Sequence, residues 1–548
     1  MKKRYLTLFL LPLFLFACSK TNNNTNSSNN SSDGNISSSE SSGQDSESSS
    51  GGDVDEFADK DFVISEEEYL DRTYGGLVAQ LWGNFSGLPT EFKYIYNVNP
   101  SPVPWLVSPI YETDDDTSLE YVWTHIMETY GVNYVTYEDI RYEWLQHIRD
   151  YIWCGNAEAY RLLKEGYTAP ESGARGFNSW YRAIDAQIEC EVFGMVAPGM
   201  KENAKERCLW WMQTVGDIDY LDCAAYYSAL VADLYVTKNP IESIERVNEI
   251  FPEDSNARKM AEYIVALKET TPVWTDARAE LAYLYYSHNA THPNDTLDSE
   301  INFAITIMSL VYGENDFLKT GQIALRAGFD NDCNAATACL MMGICTGYSG
   351  LPEELKAKSG DIYNNTNRPG LADSTISGWA ERVCNLGKEN ILENKGIVKD
   401  GKVGILDAEY VSNDVDNIDE NRIGVDEEGW NKEGFQLIYN PEFYHSYGYA
   451  SENKDDSLTI KGTGDTITIY AQTSLEAGFI DIYVDDVKMG SLTLLQAKTY
   501  TLNQNIDHIP QVIVKRVYGL ENKEHTVKIV NNSSEMVEID SISFGDAR

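Results

Sequence analysis

Two acidic clusters, far apart along the chain, contain the residue types best suited to chemistry. The first is Asp114-Asp115-Asp116, which is followed by Thr117 and, three residues later, by Glu120. The second consists of Asp330 and Asp332, at the start of a long apolar stretch. The spacing of Thr117 and Glu120 is that of a capping box, so we expect a helix to begin near Thr117. Carboxylates just ahead of a helix are favoured by the helix dipole.

Carboxylates that meet in a half-buried place repel one another, and a proton or a metal ion relieves the repulsion. The stretch after Asp332 is apolar nearly all round and is predicted to form a buried helix, whose start would bring Asp330 and Asp332 towards the middle of the protein. Hard oxygen ligands favour Mg²⁺ or Ca²⁺, and Mn²⁺ is also compatible. The alternative is that each acidic run only caps its own helix.

The elements that must position these clusters are predicted to be helices. Residues 139–153 place Ile140, Trp144, Leu145 and Ile148 on one face, with charged residues opposite. The same period recurs at residues 203–213, 223–236, 241–251, 256–270 and 333–349. Because strand-like alternation is nearly absent before residue 390, we expect one large helical domain.

The period changes to two near the C-terminus. Residues 391–432 are acidic, rich in glycine and predicted to be irregular. After them, short alternating runs separated by turn residues are typical of a β-sandwich, namely residues 457–460, 466–470, 479–484, 511–514 and 525–530. The predicted fold class is therefore multidomain, with an all-α domain followed by an all-β sandwich.

The N-terminus has the features of an export signal. Basic residues at positions 2–4 precede an apolar run over residues 6–16, which is too short to span a bilayer, and Leu15-Phe16-Ala17-Cys18 follows. This resembles a bacterial lipoprotein signal, which implies that Cys18 is acylated and becomes the new N-terminus. We therefore expect an extracytoplasmic protein, anchored by lipid to the cell membrane or the outer membrane.

These patterns give a division of the chain into five parts. We predict a signal peptide over residues 1–17, a disordered Ser/Asn-rich tether over 18–58, a helical catalytic domain over 59–390, a linker over 391–432 and a β-sandwich over 433–548.

The formal net charge is −43, so nucleic acid is not an expected partner.

Four segments of the predicted helical domain resemble, in order, motifs of the ADP-ribosylglycohydrolase family. Any one of them alone is weak, but four in the same order across about 300 residues are specific. They are Gly76-Leu-Val-Ala-Gln-Leu-Trp-Gly83-Asn84-Phe-Ser-Gly87-Leu-Pro-Thr-Glu91, Asp114-Asp115-Asp116-Thr117, Ala186-Gln187-Ile188-Glu189 with Gly194 and Pro198-Gly199, and Asp330-Asn331-Asp332-Cys333-Asn334 with Gly343 and Gly347.

The resemblance implies an all-helical fold with a site for two Mg²⁺ ions, and it assigns roles to individual residues. Glu91 would be the catalytic acid or base. The implied metal ligands are Asp114, Asp115, Asp116, Asp330 and Asp332, with Asp114 in the place of the family's threonine. The implied substrate-binding residues are Asn84, Gln187, Glu189 and Cys333.

The sequence departs from the family pattern at several positions. Asn84 and Glu189 each replace an aspartate, and Asn331 replaces a threonine. The segment Val215-Gly216-Asp217 lacks the histidine of a segment to which it aligns loosely. Asn84 and Glu189 are compatible with binding metal-bound water or substrate, and equally with a role in packing alone.

Two functions follow as hypotheses. The first is a metal-dependent hydrolase of glycosidic bonds, acting on an ADP-ribosyl, nucleoside or glycan substrate. The second is a catalytically degenerate surface lipoprotein that binds glycan or nucleotide. The C-terminal part resembles galactose-binding-like sandwiches, in which Tyr444, Tyr447 and Tyr449 would either stack on sugar or fill the core and surface.

Overall fold

The computed structural model describes residues 56–545 except 113, 149, 366, 369–370, 372–374, 409, 411–420, 475, 495–499, 502–503, 506–507 and 518–519. The predicted signal peptide, nearly all of the predicted tether and the lipidation residue Cys18 therefore lie outside the described residues.

Helices dominate the described chain as far as residue 393. In order they are α1 (Glu66–Gly87), α2 (Asp115–Tyr130), α3 (Tyr137–His147), α4 (Cys154–Lys164), α5 (Glu191–Met195), α6 (Lys201–Trp211), α7 (Asp222–Thr237), α8 (Pro240–Asn248), α9 (Asn256–Thr270), α10 (Trp274–Ala282), α11 (Ser299–Gly313), α12 (Phe317–Ala327), α13 (Asn331–Gly350), α14 (Glu353–Lys356) and α15 (Ile376–Glu393). We call this part, residues 59–393, the helical region.

Short strands accompany these helices. They are β1 (Phe62–Ser65), β2 (Ile110–Glu112), β3 (Ile362–Asn364), β4 (Ile397–Lys399) and β5 (Lys402–Ile405). Strand β1 pairs antiparallel with β5, which pairs with β4, and β2 pairs parallel with β3. Residues 391–432, predicted to be an irregular linker, thus contain strands, and one of them, β5, pairs with β1 at the start of the helical region.

The remaining strands form what we call the C-terminal β-region, residues 422–545. They are β6 (Arg422–Gly424), β7 (Asn431–Glu433), β8 (Gln436–Tyr439), β9 (Tyr447–Ser451), β10 (Ser457–Gly464), β11 (Thr466–Ser474), β12 (Phe479–Val484), β13 (Val487–Thr493), β14 (Tyr500–Thr501), β15 (Gln504–Asn505), β16 (His508–Val517), β17 (Lys523–Asn531) and β18 (Val537–Gly545).

Two antiparallel sheets make up most of the C-terminal β-region. One has the order β13-β12-β17-β10-β7, and the other has the order β16-β11-β18-β9-β8 with β6 also paired to β18. Alternate residues of both sheets, such as Leu458 and Ile482 from the first and Ile469 and Ile542 from the second, belong to one apolar core. The period of two predicted from the sequence has this origin, because successive strand residues face opposite sides of a sheet. A helical region followed by a region of antiparallel sheets confirms the predicted fold class.

Helices α1 and α13 approach each other closely through glycines. A Cβ atom added at Gly83 would overlap the carbonyl oxygen of Ala335, and one added at Gly87 would overlap the Cα atom of Asp332. Glycine is therefore required at both positions for the two backbones to come this near. The contact places the C-terminal end of α1 beside the N-terminal end of α13, as the first and fourth sequence motifs require.

The helix predictions hold for most segments but miss two boundaries. The helix predicted over residues 139–153 ends at His147. The helix expected near Thr117 begins at Asp115, with Asp114 as its N-cap residue. The predicted capping box is wrong, because the Thr117 hydroxyl pairs with the Tyr363 hydroxyl at 2.7 Å and Glu120 accepts from the Val192 backbone N–H.

A buried ion pair joins the helical region to the C-terminal β-region. The Arg516 guanidinium of β16 lies 2.9 Å from the Asp139 carboxylate of α3, and both side chains are almost fully buried. Nearby, Lys515 Nζ donates to the backbone carbonyl of Glu128 on α2 at 3.3 Å.

None of the described helices is both long enough and apolar enough to cross a membrane.

Candidate active site

The first acidic cluster is held at the start of α2 by the end of α1. Asn84, in the last turn of α1, donates from Nδ2 to Asp114 Oδ2 at 2.7 Å and also to Asp116 Oδ2. Asn84 and Asp116 are buried, whereas Asp115 is half-buried. A single amide therefore holds two carboxylates that would otherwise repel each other.

The second acidic cluster lies at the start of α13, next to the turn that carries Glu91. Asn331 donates from Nδ2 to Thr90 Oγ1 at 3.0 Å and to the Gly87 carbonyl at 3.3 Å. The Phe92 backbone N–H donates to the Phe329 carbonyl at 3.1 Å. These bonds hold the half-buried Glu91 beside Asp330 and Asp332.

The two clusters meet at one place. Ligand atoms of Glu91, Asp330 and Asp332 lie within 4.8 Å of one another, and those of Asp116, Asp332 and Cys333 do the same. Asp332 belongs to both groups, so it links them. Glu91 and Asp332 are 241 positions apart in the sequence. They are brought together where α1, α2 and α13 meet.

A cavity of about 540 Å³ opens onto this meeting point. Its acidic lining residues are Glu91, Glu112, Asp114, Asp115, Asp185, Asp330 and Asp332. Apolar and aromatic side chains complete the wall, among them Phe85, Phe92, Tyr151, Trp153 and Leu297. The volume suits a sugar or nucleoside unit, and the mixture of an acidic floor with an aromatic rim is typical of small-molecule sites.

Burial and mutual repulsion raise the pKa values of these carboxyls. Burial, and then the charges of Asp116 and Asp114, raises the pKa of Asp115 well above its usual value. Burial and the Asp330 charge do the same to the pKa of Asp332. Burial raises the pKa of Asp330 to about 7. Burial followed by the Asp114 charge raises the pKa of Glu91. Negative charge has collected here beyond what the surroundings neutralise.

Several oxygens of the site are buried without a hydrogen bond from any residue that the structure describes. They are Asp116 Oδ1, Asp330 Oδ1, Asp332 Oδ1 and Asp185 Oδ2. Buried acceptors are normally satisfied, so each of these atoms requires a partner that the described chain does not supply. A proton or a cation fits that requirement.

The structure brings most of the residues singled out in the sequence to this site. Of the predicted metal ligands, four line the cavity and Asp116 lies just beneath them. Glu91 and Cys333 also line the cavity.

Three predicted substrate-binding residues lie behind the cavity wall instead. Asn84 is fully buried and bound to the carboxylates. Gln187 donates to the Ser299 carbonyl at 3.0 Å, and Glu189 accepts from Trp123 Nε1 at 2.8 Å. All three are buried, so a ligand in the cavity does not reach them in this structure.

Sequence reasoning missed Asp185, which lines the cavity. It lies in a 3₁₀ turn, Ile184–Gln187, and its Oδ1 accepts from the Asn156 backbone N–H at 2.9 Å. Burial raises the pKa of Asp185 to about 6. The only signal in the sequence is its place immediately before the Ala186-Gln187 motif. The direction of its side chain depends on helix α4, which begins at Cys154.

The aromatic rim was missed as well. Tyr151 and Trp153 are about half exposed, and their ring centroids are 5.8 Å apart in an edge-to-face arrangement. Tyr151, Cys154 and Phe92 have positive φ angles of 53°, 42° and 52°. Such backbone strain in residues other than glycine clusters at functional sites, and here all three residues line the same cavity.

The fold and the site define a helical domain whose carboxylates converge from distant helix ends. A model of the ADP-ribosylglycohydrolase family matches residues 65–389, more than half of the chain, and the protein therefore belongs to this family. Membership supports a glycohydrolase-type function. No curated protein matches the chain.

Solved structures show similarity to part of the chain. An ADP-ribosylglycohydrolase-related protein complex is 13% identical over 59% of this chain and 99% of that chain, with a TM-score of 0.36. A family two carbohydrate esterase from Cellvibrio japonicus is 16% identical over 23% of this chain, with a TM-score of 0.18, and the match spans only 33% of the esterase. The CBM36-1 domain of a multidomain xylanase from the hindgut metagenome of Trinervitermes trinervoides is 14% identical over 23% of this chain and 98% of that chain, with a TM-score of 0.18.

Proposed function

We propose that the protein is an extracytoplasmic, metal-dependent hydrolase of glycosidic bonds that acts on an ADP-ribosyl, nucleoside or glycan substrate. The observation that carries this proposal is the convergence of carboxylates from α2, α13 and the Glu91 turn on the floor of one cavity. Asp114, Asp115, Asp116, Asp330 and Asp332 would hold the metal ions.

The chemistry of these donors fits Mg²⁺. The set is rich in carboxylate oxygens, and three of those oxygens, on Asp116, Asp330 and Asp332, are buried without a partner among the described residues. Hard oxygen donors suit Mg²⁺ best, while Ca²⁺ and Mn²⁺ share the preference. The family resemblance implies two ions, and the two groups of convergent ligand atoms, which share Asp332, are compatible with this number. Bound Mg²⁺ would supply positive charge that stabilises the transition state and orients oxygen ligands.

Glu91 is the residue best placed to move a proton. Its carboxyl lies at the cavity wall, half-buried, and burial raises its pKa, so the protonated form persists further towards neutral pH. As the bond between the anomeric carbon and the leaving atom breaks, Glu91 would give its proton to the leaving group, whose atom is oxygen in a glycan and nitrogen in a nucleoside. In the reverse role it would take a proton from the water that attacks the anomeric carbon.

Other side chains position these groups and the substrate. Asn84 holds Asp114 and Asp116 together, and Asn331 holds the turn that carries Glu91. The exposed rings of Tyr151 and Trp153 would pack against a sugar or a base and exclude water from the cavity.

Activity in the presence of a chelator tests this proposal. Nitrophenyl glycosides and ADP-ribosyl substrates would be supplied to the purified chain with EDTA, and then with excess Mg²⁺. We expect hydrolysis to stop in EDTA and to return with Mg²⁺. Full activity in EDTA would rule out the metal-dependent mechanism.

A degenerate binding protein is the second candidate, and the asparagine at position 84 favours it. Asn84 contributes an amide donor where the family pattern has a carboxylate, which leaves one metal-binding oxygen fewer. Calorimetric titration with Mg²⁺ separates the two candidates. A stoichiometry near two supports the enzyme, whereas no binding supports the degenerate protein.

The location outside the cytoplasm rests on the N-terminal sequence, in which Cys18 follows Leu15-Phe16-Ala17. We expect Cys18→Ser to move the protein from the membrane fraction to the soluble fraction, with Cys345→Ser as the matched control. Equal membrane association of both variants would argue against the lipid anchor.

The C-terminal β-region is proposed to bind carbohydrate. Tyr439 and Tyr447 are partly exposed neighbours on β8 and β9, with ring centroids 5.7 Å apart. Tyr449 is instead buried, and Tyr444 stacks on His445, so these two are less suited to a sugar. Retention on insoluble polysaccharide by the full chain, and loss of retention in Tyr447→Ala, is the expected result. Equal retention of the variant would contradict this role.

A further inference from the structure

A second group of metal-ligating side chains lies well away from the candidate active site. His125 is on α2, while Glu143 and His147 are on α3, and their ligand atoms are within 4.8 Å of one another. His125 is ten residues after Asp115 in the same helix. At 1.5 Å per residue this separates the two sites by about 15 Å along the helix axis.

The ligand atoms of the three side chains lie close together. Glu143 Oε2 lies 2.8 Å from His147 Nε2 and 3.3 Å from His125 Nε2. The two imidazole rings meet edge to face, with centroids 4.6 Å apart. Ligands bound to a tetrahedral Zn²⁺ ion at 2.0–2.1 Å are about 3.3 Å from each other, so the group needs little rearrangement to bind one.

The surroundings orient the carboxylate for this role. Glu143 and His147 are four residues apart and so share one face of α3. The Tyr130 hydroxyl donates to Glu143 Oε1 at 2.7 Å, which leaves Oε2 directed at the two imidazoles. Hydrogen bonds of this kind to a ligating carboxylate are typical of metal sites. Glu143 is buried, whereas 23% of the His125 side chain is exposed, which gives an ion or a fourth, water ligand access from solvent.

A hydrogen-bonded group without metal is the competing explanation. It requires Oε2 of Glu143 to accept from both imidazoles, and hence requires both histidines to carry their proton on Nε2 at once. A cation between the three atoms instead uses the Nε2 lone pairs and the carboxylate charge together. Two imidazoles and one carboxylate favour Zn²⁺, whereas Mg²⁺ and Ca²⁺ prefer oxygen ligands alone.

We propose that His125, Glu143 and His147 form a transition-metal site, with Zn²⁺ as the expected ion, that fastens α3 to the C-terminal half of α2. The site lies next to the contact with the C-terminal β-region, where Lys515 donates to the Glu128 carbonyl and Arg516 pairs with Asp139. Its role is structural: the ion stabilises the helix whose other end carries Asp115 and Asp116. This role does not depend on the proposed activity.

Zinc titration of the metal-stripped full chain, in saturating Mg²⁺, tests the site. We expect one equivalent of Zn²⁺ in the wild type, and a Kd weakened about 100-fold or more in His125→Gln and in His147→Gln, since each variant removes a ligand. Tyr130→Phe should weaken the Kd by about tenfold, because it removes only the hydrogen bond to the carboxylate. His288→Gln, at an exposed histidine of the same region, is the matched control and should bind as the wild type does.

Asp332→Asn separates this site from the active site. That variant should lose Mg²⁺ but keep its Zn²⁺, whereas His125→Gln should keep Mg²⁺. The proposal is wrong if the wild type binds no zinc under these conditions, or if both histidine variants bind zinc as tightly as the wild type does.

A variant that misfolds would also lose zinc, so circular dichroism of each variant accompanies the titration, and a measurement on the wild type alone completes the test. Co²⁺ loaded into the wild-type chain should give the strong visible absorption of tetrahedral cobalt bound to imidazole. Only the weak absorption of six-coordinate cobalt would overturn the assignment.

Discussion

Buried carboxylates of the C-terminal β-region differ from those of the helical region in their partners. Asp481 receives Lys488 Nζ at 2.8 Å and Ser491 Oγ at 2.6 Å, and Asp540 receives Arg422 at 3.0 Å. Asp330 and Asp332 are equally buried, yet each has an oxygen to which no described residue donates. The same residue type thus stabilises the fold in one region and needs an external cation or a proton in the other.

The pKa directions follow the same division. Although burial opposes it, the contacts with Lys488 and Ser491 lower the pKa of Asp481. Burial, reinforced by the charges of its acidic neighbours, raises the pKa of Asp332. A carboxylate paired within the protein has a structural role, whereas unpaired carboxylates collected in a cavity indicate a binding site. The variants below test this distinction.

Asp332→Asn should have the largest effect. The carboxylate shared by both ligand groups is lost, and metal ions contribute several kcal/mol of transition-state stabilisation, so we expect hydrolysis to fall about 1000-fold or more. Steady-state kinetics at saturating Mg²⁺ would measure the fall. Asp316→Asn, at an exposed N-cap where asparagine caps equally well, is the matched control. Comparable activity of the two variants would show that Asp332 does not contribute to the reaction.

Arg516→Met tests the case of Asp139, a buried carboxylate of the helical region that has a partner within the protein. Removing the guanidinium leaves Asp139 buried without its ion pair, which costs about 3–5 kcal/mol of unfolding free energy. Urea unfolding would measure it. Lys461→Met, at an exposed pair with Glu524, should cost less than about 1 kcal/mol. Similar losses in both variants would mean that burial of the pair does not matter.

The pH dependence of metal-free protein should reveal Asp330. Its pKa is raised from 3.8 to about 7 in the folded state, so the folded protein binds the proton more tightly than the unfolded chain. The resulting stabilisation is present below pH 3.8 and is lost as the pH rises towards 7. In EDTA, wild type relative to Asp330→Asn should therefore lose roughly 1–3 kcal/mol of stability between pH 4.5 and 7.5. Parallel profiles would contradict the shift, and saturating Mg²⁺ should reverse the wild-type trend.

Asp481→Asn should give the smallest effect, and with the opposite sign. Since the pKa of Asp481 is lowered in the folded state, its contribution is present above its unfolded value of 3.8 and is lost as the pH falls. Because Lys488 is partly exposed, we expect a loss below about 1 kcal/mol at pH 7. Thermal melts at pH 7 and pH 3 would show a difference between wild type and variant only at the higher pH. A larger difference at pH 3 would contradict this sign.

Local patterns in the sequence predicted the elements that carry the site. The apolar run after Asp332 predicted a buried helix, and α13 is buried along most of its length. The alternation over residues 479–484 coincides with strand β12. The acidic clusters could be found because helix starts have local sequence signals, and four motifs in order fixed which of them meet.

Features that depend on distant contacts were not predictable in this way. Strand β1 is only four residues long and pairs with β5, some 340 residues later, so neither strand has an identifying local pattern. Asp185 and Trp153 enter the cavity because of the packing of α4 and the backbone bends around it, not because of their neighbours in sequence. Conversely, Gln187 and Glu189 lie in a matching motif, but their side chains are committed to Ser299 and Trp123.

The glycines between α1 and α13 have a consequence for selectivity between ions. Asp332 sits against Gly87, so the separation of its backbone from that of α1 is fixed by the absence of a side chain. Mg²⁺ binds oxygen at 2.0–2.1 Å and Ca²⁺ at 2.3–2.6 Å, a difference smaller than the shift that one methyl group would force. For the proposed Mg²⁺ site, we therefore expect Gly87→Ala to displace Asp332 and to weaken the preference for Mg²⁺ over Ca²⁺, which titration with each ion would measure.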